Sequence, residues 1–393
     1  MKKLLIIGAS ILQLPAIKRA KELGFYTIVA DYDPNSIGIP YADEYHNVST
    51  IDVEGVRKLA LELKPDGVMT LATDMPMRSV AAATTALGLP GITPDTAVKA
   101  TDKGEMIKAF EANNVEIPWY YIIKKRENLN AVMHKITYPC VIKPTDNAGN
   151  RGVCYVENEA ELVEKYNYSF TNSRSGDVII EEYMSGQEVS VEIIVLDNKV
   201  HVLAVTDKLT EGAPYFVEIG HCEQSQLPLE SVVAIKDLAS RAVLALGINN
   251  SPAHVEIMLT EDGPKMVELG ARMGGGCITT HLVPLSTGID MVEAVVKLSL
   301  GEIPNLTPKF NRGSAIRHIT NLKGVITSIE GLEDAKATTG VKEVTMLKNI
   351  GDEVHEFLNG ADRIGYVIAD GATAQEAIDI CNKALNKIKI NFV

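Results

Sequence analysis

A chain of 393 residues, 46% hydrophobic and 23% charged, is too long for one compact core and reads as a soluble globular protein of two or three domains. Its formal net charge of −13 excludes nucleic acid and anionic membrane as partners, because both select a basic face; anionic small molecules stay open where positive charge is local. Five scattered cysteines without a CxxC pair argue against disulfides and thiolate metal sites and, with no run of membrane-span length, place the chain in the cytoplasm.

Residues 1–95 alternate strand and helix. LLIIGAS (4–10) reads as a buried first strand rather than a leader, since Gln13 and Lys18 interrupt the apolar run. A helix follows over 14–23, a strand over 26–33, a helix over 52–63, a strand over 67–74 and a helix over 76–87. This order predicts an α/β unit with a parallel sheet and right-handed crossovers. Ligands of such sheets lie beyond the strand C-termini, where Gly8, Asp31 and Asp74 fall. A dinucleotide fold is the tempting alternative, but the turn from Gly8 to Gln13 carries one glycine where the fingerprint needs three. After a turn-rich break at 88–94, residues 101–170 predict helix, strand and a glycine-bearing loop. Residues 178–310 are rich in strands, with helices at 230–246 and 289–300, and a Pro/Asn/Lys stretch near 304–312 leads into a smaller C-terminal α+β piece.

Four segments carry chemistry. Asp102 and Glu105 have capping-box spacing, which puts Lys103 in the first turn of a helix, where the dipole disfavours a cation. Facing an anion explains it, and simple exposure does so nearly as well. The strand ending at Lys143 runs into Thr-Asp-Asn-Ala-Gly149-Asn-Arg-Gly152. Its glycines let backbone N–H groups approach an anion, and Lys143 reaches the same phosphates as a point charge. A plain surface hairpin is the alternative. With few apolar anchors, loop 145–152 is expected to move and close over a ligand. Next, Glu181, the peptide groups of Glu182, Tyr183 and Met184, and Glu188 offer acceptors and a donor for adenine and ribose, or else are solvent-facing acids.

The fourth segment is a predicted hairpin, HVEIML (254–259) and KMVELG (265–270), joined by Thr260-Glu261-Asp262-Gly263-Pro264. Folded symmetrically about Asp262, it sets Glu256 opposite Glu268 and Met258 opposite Met266, all on one face. Carboxylates whose Cβ atoms lie about 5 Å apart need a cation between them, and such oxygen ligands suit Mg²⁺. A hairpin edge with two solvated acids is the bland reading. The continuation, with Arg272 and glycines 274–276, points to phosphoryl chemistry.

Taken in order, these segments resemble the ATP-grasp superfamily over essentially the whole chain. The resemblance implies an α/β and α+β architecture: a parallel-sheet pre-ATP-grasp domain over 1–100, a two-lobed ATP-grasp core over 101–310 with its lid at about 118–180, and a small C-terminal α+β domain over 311–393. The tail, at 328–332 and 361–369, resembles L-amino-acid-ligase relatives. It implies that Lys103 and Lys143, with Gly149 and Gly152, hold ATP phosphates. Glu181, Glu182, Tyr183 and Met184 would contact adenine, and Glu188 ribose. Glu256 and Glu268 match the ligands of Mg²⁺, with Mn²⁺ as an alternative. Arg272, together with Lys143, matches the groups that stabilise the transferring phosphate. Gly270 stands where many members carry asparagine as a third ligand, which leaves the number of metal ions open.

The implied reaction is ATP-driven carboxylate–amine ligation through an acylphosphate, with small-molecule substrates and a homodimer left open. Gly275 and Gly276 would offer backbone donors to the acyl oxygen, and Lys208 and His221 are candidates for the acceptor side, although a lone histidine after a strand is more often structural. Rival readings stand beside it. A carbamoyl-phosphate-synthase-like or biotin-carboxylase-like enzyme would carry a second ATP-grasp half or a carrier segment, and the sequence shows neither. A purine-pathway ligase of the phosphoribosylglycinamide synthetase type needs a basic cluster, for which Arg312 and Arg317 are the candidates. A nucleotide-binding regulator without turnover would not need Glu256, Glu268 and Arg272 intact.

Overall fold

The structure, a computed structural model, describes residues 1–393 except 148, 150, 213–215, 321–322 and 358–361. Asn150 of the expected lid loop and Ala361 of the tail segment therefore lie outside the described residues.

The N-terminal strand Lys3–Ile7 pairs in parallel with Tyr26–Asp31 on one side and Gly67–Met69 on the other, and Glu44–Asn47 completes the edge. Leu4 and Ile6 pack on helices Leu14–Glu22 and Met291–Ser299, while Leu5 and Ile7 face helices Val53–Leu63 and Met77–Leu87. Burial on both faces is why this strand reads as a continuous apolar run. The edge strand escapes sequence reading because Glu-Tyr-His-Asn has no apolar alternation. Gln13 is 2% exposed and closes the first turn: its Oε1 accepts from Ser10 Oγ at 2.7 Å and its Nε2 donates to the Leu71 carbonyl at 2.7 Å. The space beside Gly8 is taken by this side chain, whose Oε1 a Cβ on Gly8 would meet at 2.8 Å.

The central sheet is antiparallel and eight-stranded, in the order Gly263–Gly270, Ser251–Thr260, Gln187–Leu196, Lys199–Thr210, Glu218–Glu223, Gly313–Ile319, Gly365–Gly371, Val341–Met346. Val189, Val191, Ile193 and Val195 pack on helix Leu229–Ala245 through Ile235, Leu238 and Ala242. The alternate residues put Ser190 and Glu192 on the opposite face, beside Thr206 on one neighbouring strand and His254 and Glu256 on the other. One face of the sheet is thus core, and the other carries polar groups that give way at Ile194 to a second core. The ladder continues past residue 310, where Glu218–Glu223 pairs with Gly313–Ile319.

A second antiparallel sheet, Tyr120–Ile123, Val178–Glu182, Cys140–Pro144 and Cys154–Val156, has its own core of Ile123, Leu129, Ile142, Leu162 and Ile180. Within it the two loop glycines differ. A Cβ on Gly149 (φ 67°) would meet nothing within 4 Å. On Gly152 (φ 83°) it would strike Pro144 Cγ at 2.7 Å and Asn172 Cβ at 2.8 Å. Packing against Pro144 and Asn172 therefore demands glycine at 152 by itself. Gly152→Ala should destabilise this sheet by more than about 1–2 kcal/mol, the usual cost of left-handed backbone before the clash is added. Gly149→Asn should cost less than about 1 kcal/mol, since asparagine tolerates that conformation. Thermal melts of the two variants make the comparison.

Candidate functional site

The hairpin forms with Glu256 directly opposite Glu268, as expected. Below that pair the register slips: Ile257 faces Met266 and Met258 faces Lys265. The reversal is a two-residue turn closed by the Thr260–Gly263 pair, and a bulge at Val267 absorbs the odd residue. Met266 consequently points into the core, 2% exposed, and does not share the carboxylate face, whereas Met258 does.

That face forms one wall of a cavity of about 520 Å³ between the lid sheet, the hairpin and the loop 72–75. Lys103, Lys143, Gly149, Glu181, Glu182, Tyr183, Met184, Glu188, Lys208, Glu256, Glu268, Arg272, Gly275 and Gly276 all line it; of the expected site residues, Gly152 and His221 do not. Asp102 caps helix Lys103–Ala112 by accepting from Glu105 N at 3.0 Å, which fixes Lys103 at the first helical position. The Lys103 ammonium faces one anion, Glu268 Oε2 at 3.1 Å, and donates to the Asn147 carbonyl at 3.0 Å. Lys143, 6% exposed at the end of its strand, pairs with Glu181 Oε2 at 2.5 Å. Glu182 pairs with Lys265 at 3.1 Å, joining lid to hairpin. Tyr183 meets Tyr155 edge-on at 4.9 Å and Phe216 at 6.1 Å, an aromatic group beside Met184 that sequence reading did not assemble.

Lys208 is the electrostatic hub. Its ammonium lies 2.6 Å from Glu188 Oε1, 2.9 Å from Glu218 Oε1 and 3.2 Å from Glu256 Oε1. Burial alone would lower its pKa, but these three acids hold it well above the ordinary lysine value. In this arrangement its three N–H donors face three carboxylates, so Lys208, expected on the acceptor side, offsets part of their charge. Burial also tends to raise Glu256, yet Lys208 and His254 bring it below the usual carboxylate range. Glu188 stays raised by burial despite Lys208. Behind Glu256, His254 bridges Glu256 Oε1 at 3.1 Å and Glu192 Oε1 at 2.8 Å. His221 is 0% exposed and sits beneath Gly276, whose Cβ would be 3.2 Å from its Nε2, so it does not reach the cavity.

Arg272 is held by a residue from the N-terminal unit. Its Nε and Nη2 donate to the two oxygens of Asp74, each at 2.9 Å, and Nη1 donates to the Met273 carbonyl at 3.2 Å. Gly270 makes room for this fork, because a Cβ there would lie 2.6 Å from Asp74 Oδ1 and 3.0 Å from Arg272 Nε. Any side chain at 270 would meet this fork.

Among the described residues, no group of three or more His, Cys, Asp or Glu side chains is arranged for a metal ion. Two opposed carboxylates remain. Every described partner of Glu256 is on Oε1 and that of Glu268 is on Oε2, so one oxygen of each has no described partner. Two carboxylates completed by substrate oxygens is a donor set that fits Mg²⁺ arriving with a nucleotide, and not a resident all-protein site.

Sequence comparisons match an ATP-grasp domain over residues 136–281 and the L-amino acid ligase C-terminal domain 2 over residues 317–393. Residues 136–281 thus carry an ATP-grasp domain, and residues 317–393 match a C-terminal domain of the amino-acid-ligase kind. An uncharacterised protein of Sinorhizobium fredii is 27% identical over 305 residues, covering 76% of this chain and 63% of that relative's own length. The crystal structure of an L-amino acid ligase from Bacillus licheniformis superposes with a TM-score of 0.85 at 25% identity, covering 100% of this chain and 99% of that one. Phosphoribosylglycinamide synthetase from Anaerococcus prevotii gives 0.81 at 26% identity with both chains fully covered. No helix among the described residues is long and apolar enough to cross a membrane.

Proposed function

We propose that this protein is a cytoplasmic ATP-dependent carboxylate–amine ligase that joins two small molecules through an acylphosphate and releases ADP and phosphate. The observation that carries the reading is the convergence of Lys103, Lys143, Arg272 and the opposed pair Glu256/Glu268 on one cavity. In this reading Lys103 and Lys143 take the ATP phosphates, exchanging the internal partners Glu268 and Glu181 for phosphate oxygens. The segment 181–184 meets adenine and Glu188 meets ribose. Glu256 and Glu268 hold Mg²⁺, which when bound neutralises phosphate charge. A substrate carboxylate oxygen attacks the γ-phosphorus and ADP leaves. The amine nitrogen then attacks the acyl carbon, phosphate departs with the acyl oxygen, and the nitrogen gives up its surplus protons. Positioning and electrostatics from Lys143 and Arg272 supply the catalysis, with Gly275 and Gly276 presenting backbone donors. The proposed working units are 1–100, 101–310 with its lid at about 118–180, and 311–393, the loop 145–152 closing over the phosphates to exclude water.

Similarity to the Bacillus licheniformis enzyme supports this reading, and similarity to the Anaerococcus prevotii synthetase supports a second one, a purine-pathway ligase. The arginines expected for its phosphate do not line the cavity: Arg312 lies 3.7 Å from Asp370, and Arg317 donates to the carbonyls of His221 and Ile316. The test is Mg²⁺-dependent ADP release with paired amino acids and with purine-pathway intermediates. Glu268→Gln should abolish it while the melting temperature holds, since an amide cannot replace the ligand charge. ATP consumption unchanged in that variant would sink the assignment.

A further inference from the structure

Behind the main cavity lies a second one of about 320 Å³. It is bounded by the starts of helices Val53–Leu63 and Met77–Leu87, by Ala100 and Thr101, by the hairpin at 268–270, and by Asp146 and Arg174 beside the lid sheet. Its wall toward the main cavity is built of two ion pairs. Arg272 donates to both oxygens of Asp74, each at 2.9 Å, and Lys103 stands 3.1 Å from Glu268. All four residues line both cavities, as do Met75 and Asn147. Two of the cations that the ligase reading places around the phosphates, Lys103 and Arg272, therefore separate front from rear.

The two cavities differ in charge. Six Lys or Arg and seven Asp or Glu side chains line the main one, against four and three in the rear one. Arg78 and Arg174 line the rear cavity alone, and with Ile51 they are exposed where it opens to solvent. Neither arginine is paired with an acid among the described residues. Arg78 Nε donates to Thr101 Oγ1 at 2.7 Å, and the Arg174 guanidinium has no described partner. Asp146, the acid found only in the rear cavity, is already occupied: it accepts from Ser173 Oγ at 3.0 Å, Arg174 N at 3.1 Å and Ser175 N at 2.6 Å. On a chain of net charge −13, an opening flanked by unpaired cations is where a small anion passes most readily.

Ligation leaves such an anion at this wall. Once the amide forms, inorganic phosphate lies between Lys103 and Arg272, with ADP and the amide ahead of it in the main cavity. The Lys103–Glu268 pair is the half of the wall that parts, since in this reading Glu268 turns to Mg²⁺ and Lys103 to phosphate. Asp74 keeps Arg272 in place meanwhile. We infer that the rear cavity is the exit for inorganic phosphate, that Arg78 and Arg174 draw the ion out, and that it leaves while ADP is still bound. No bond changes in this step. The inference rests on the ligase reading.

An exit is also an entrance, so inorganic phosphate itself is the probe. Phosphorus NMR line broadening on the full chain reads its exchange with the protein, in Mg²⁺ alone and in Mg²⁺ with saturating ADP. Calorimetry reads ADP binding. Phosphate exchange should persist in the ADP complex. Replacing both arginines, Arg78→Gln with Arg174→Gln, should slow phosphate entry by about 10-fold or more at low salt, within the range of electrostatic steering, and added salt should shrink the difference. Ile51→Trp, which narrows the opening and keeps its charges, should slow entry and departure alike and leave phosphate affinity unchanged. ADP affinity should be the same in all of these proteins. Failure of Mg²⁺ and ADP to bind would remove the ligase reading itself. With ADP bound, absence of phosphate binding, exchange that halts until ADP departs, or rates unchanged in either variant would remove the exit alone.

Discussion

Lys208→Met should destabilise the protein by up to about 3–5 kcal/mol at neutral pH, because it strands three half-buried carboxylates that share one buried ammonium. The pH dependence should change sign with it. In the native protein Glu218 and Glu256 are held below their unfolded value of 4.5, so the stability they contribute is complete above that pH and is lost as the pH falls. In the variant, burial and mutual repulsion are opposed only by His254 at Glu256 and by His221 and Arg363 at Glu218, so the same groups rise and stability should increase on mild acidification as they take up protons. Chemical denaturation from pH 5 to pH 8 reads both effects. A variant that loses less than about 1 kcal/mol at neutral pH would show that the acids do not depend on Lys208.

Arg272→Lys should lower kcat by about 10²–10³-fold while changing ATP affinity far less, the range seen when one preorganised donor at a developing charge is lost. A lysine cannot reproduce the fork that Asp74 grips at both oxygens, and its point charge would be free to swing. Steady-state rates beside equilibrium ATP binding distinguish this from a packing role. A rate within about twofold of the native enzyme would make the guanidinium structural.

The parts of the site that the sequence announces are those made by neighbours in the chain. Glu256 and Glu268 are opposed because a hairpin has its own symmetry, and the helix cap placed Lys103. The bulge at Val267 was invisible because the turn could close at two residues or three with the same letters. The ion-pair hub was invisible for another reason: Glu188, Lys208, Glu218 and Glu256 come from four strands whose order is set by the whole sheet. Asp74 stands 198 positions from Arg272, and Arg363 stands 145 from Glu218. Glu218 had a local signal, an acid within the same strand-like stretch that drew attention to His221. Asp74 had one as well, its place at the C-terminal edge of the parallel sheet. The parallel sheet itself and the order of strands and helices were legible because continuous apolar runs and 3.6-residue periodicity are local properties.

The space above residue 270 carries a constraint on how this protein can change. Asparagine at 270 collides with the Asp74 carboxylate unless position 74 has already given way, and loss of Asp74 while Gly270 stays leaves Arg272 unheld. Each single step passes through a damaged enzyme, so the two positions are epistatic and should vary as a pair. The Asp74–Gly270 pairing behaves as a ratchet: a side chain is gained at 270 only along a route that first rebuilds the support of Arg272.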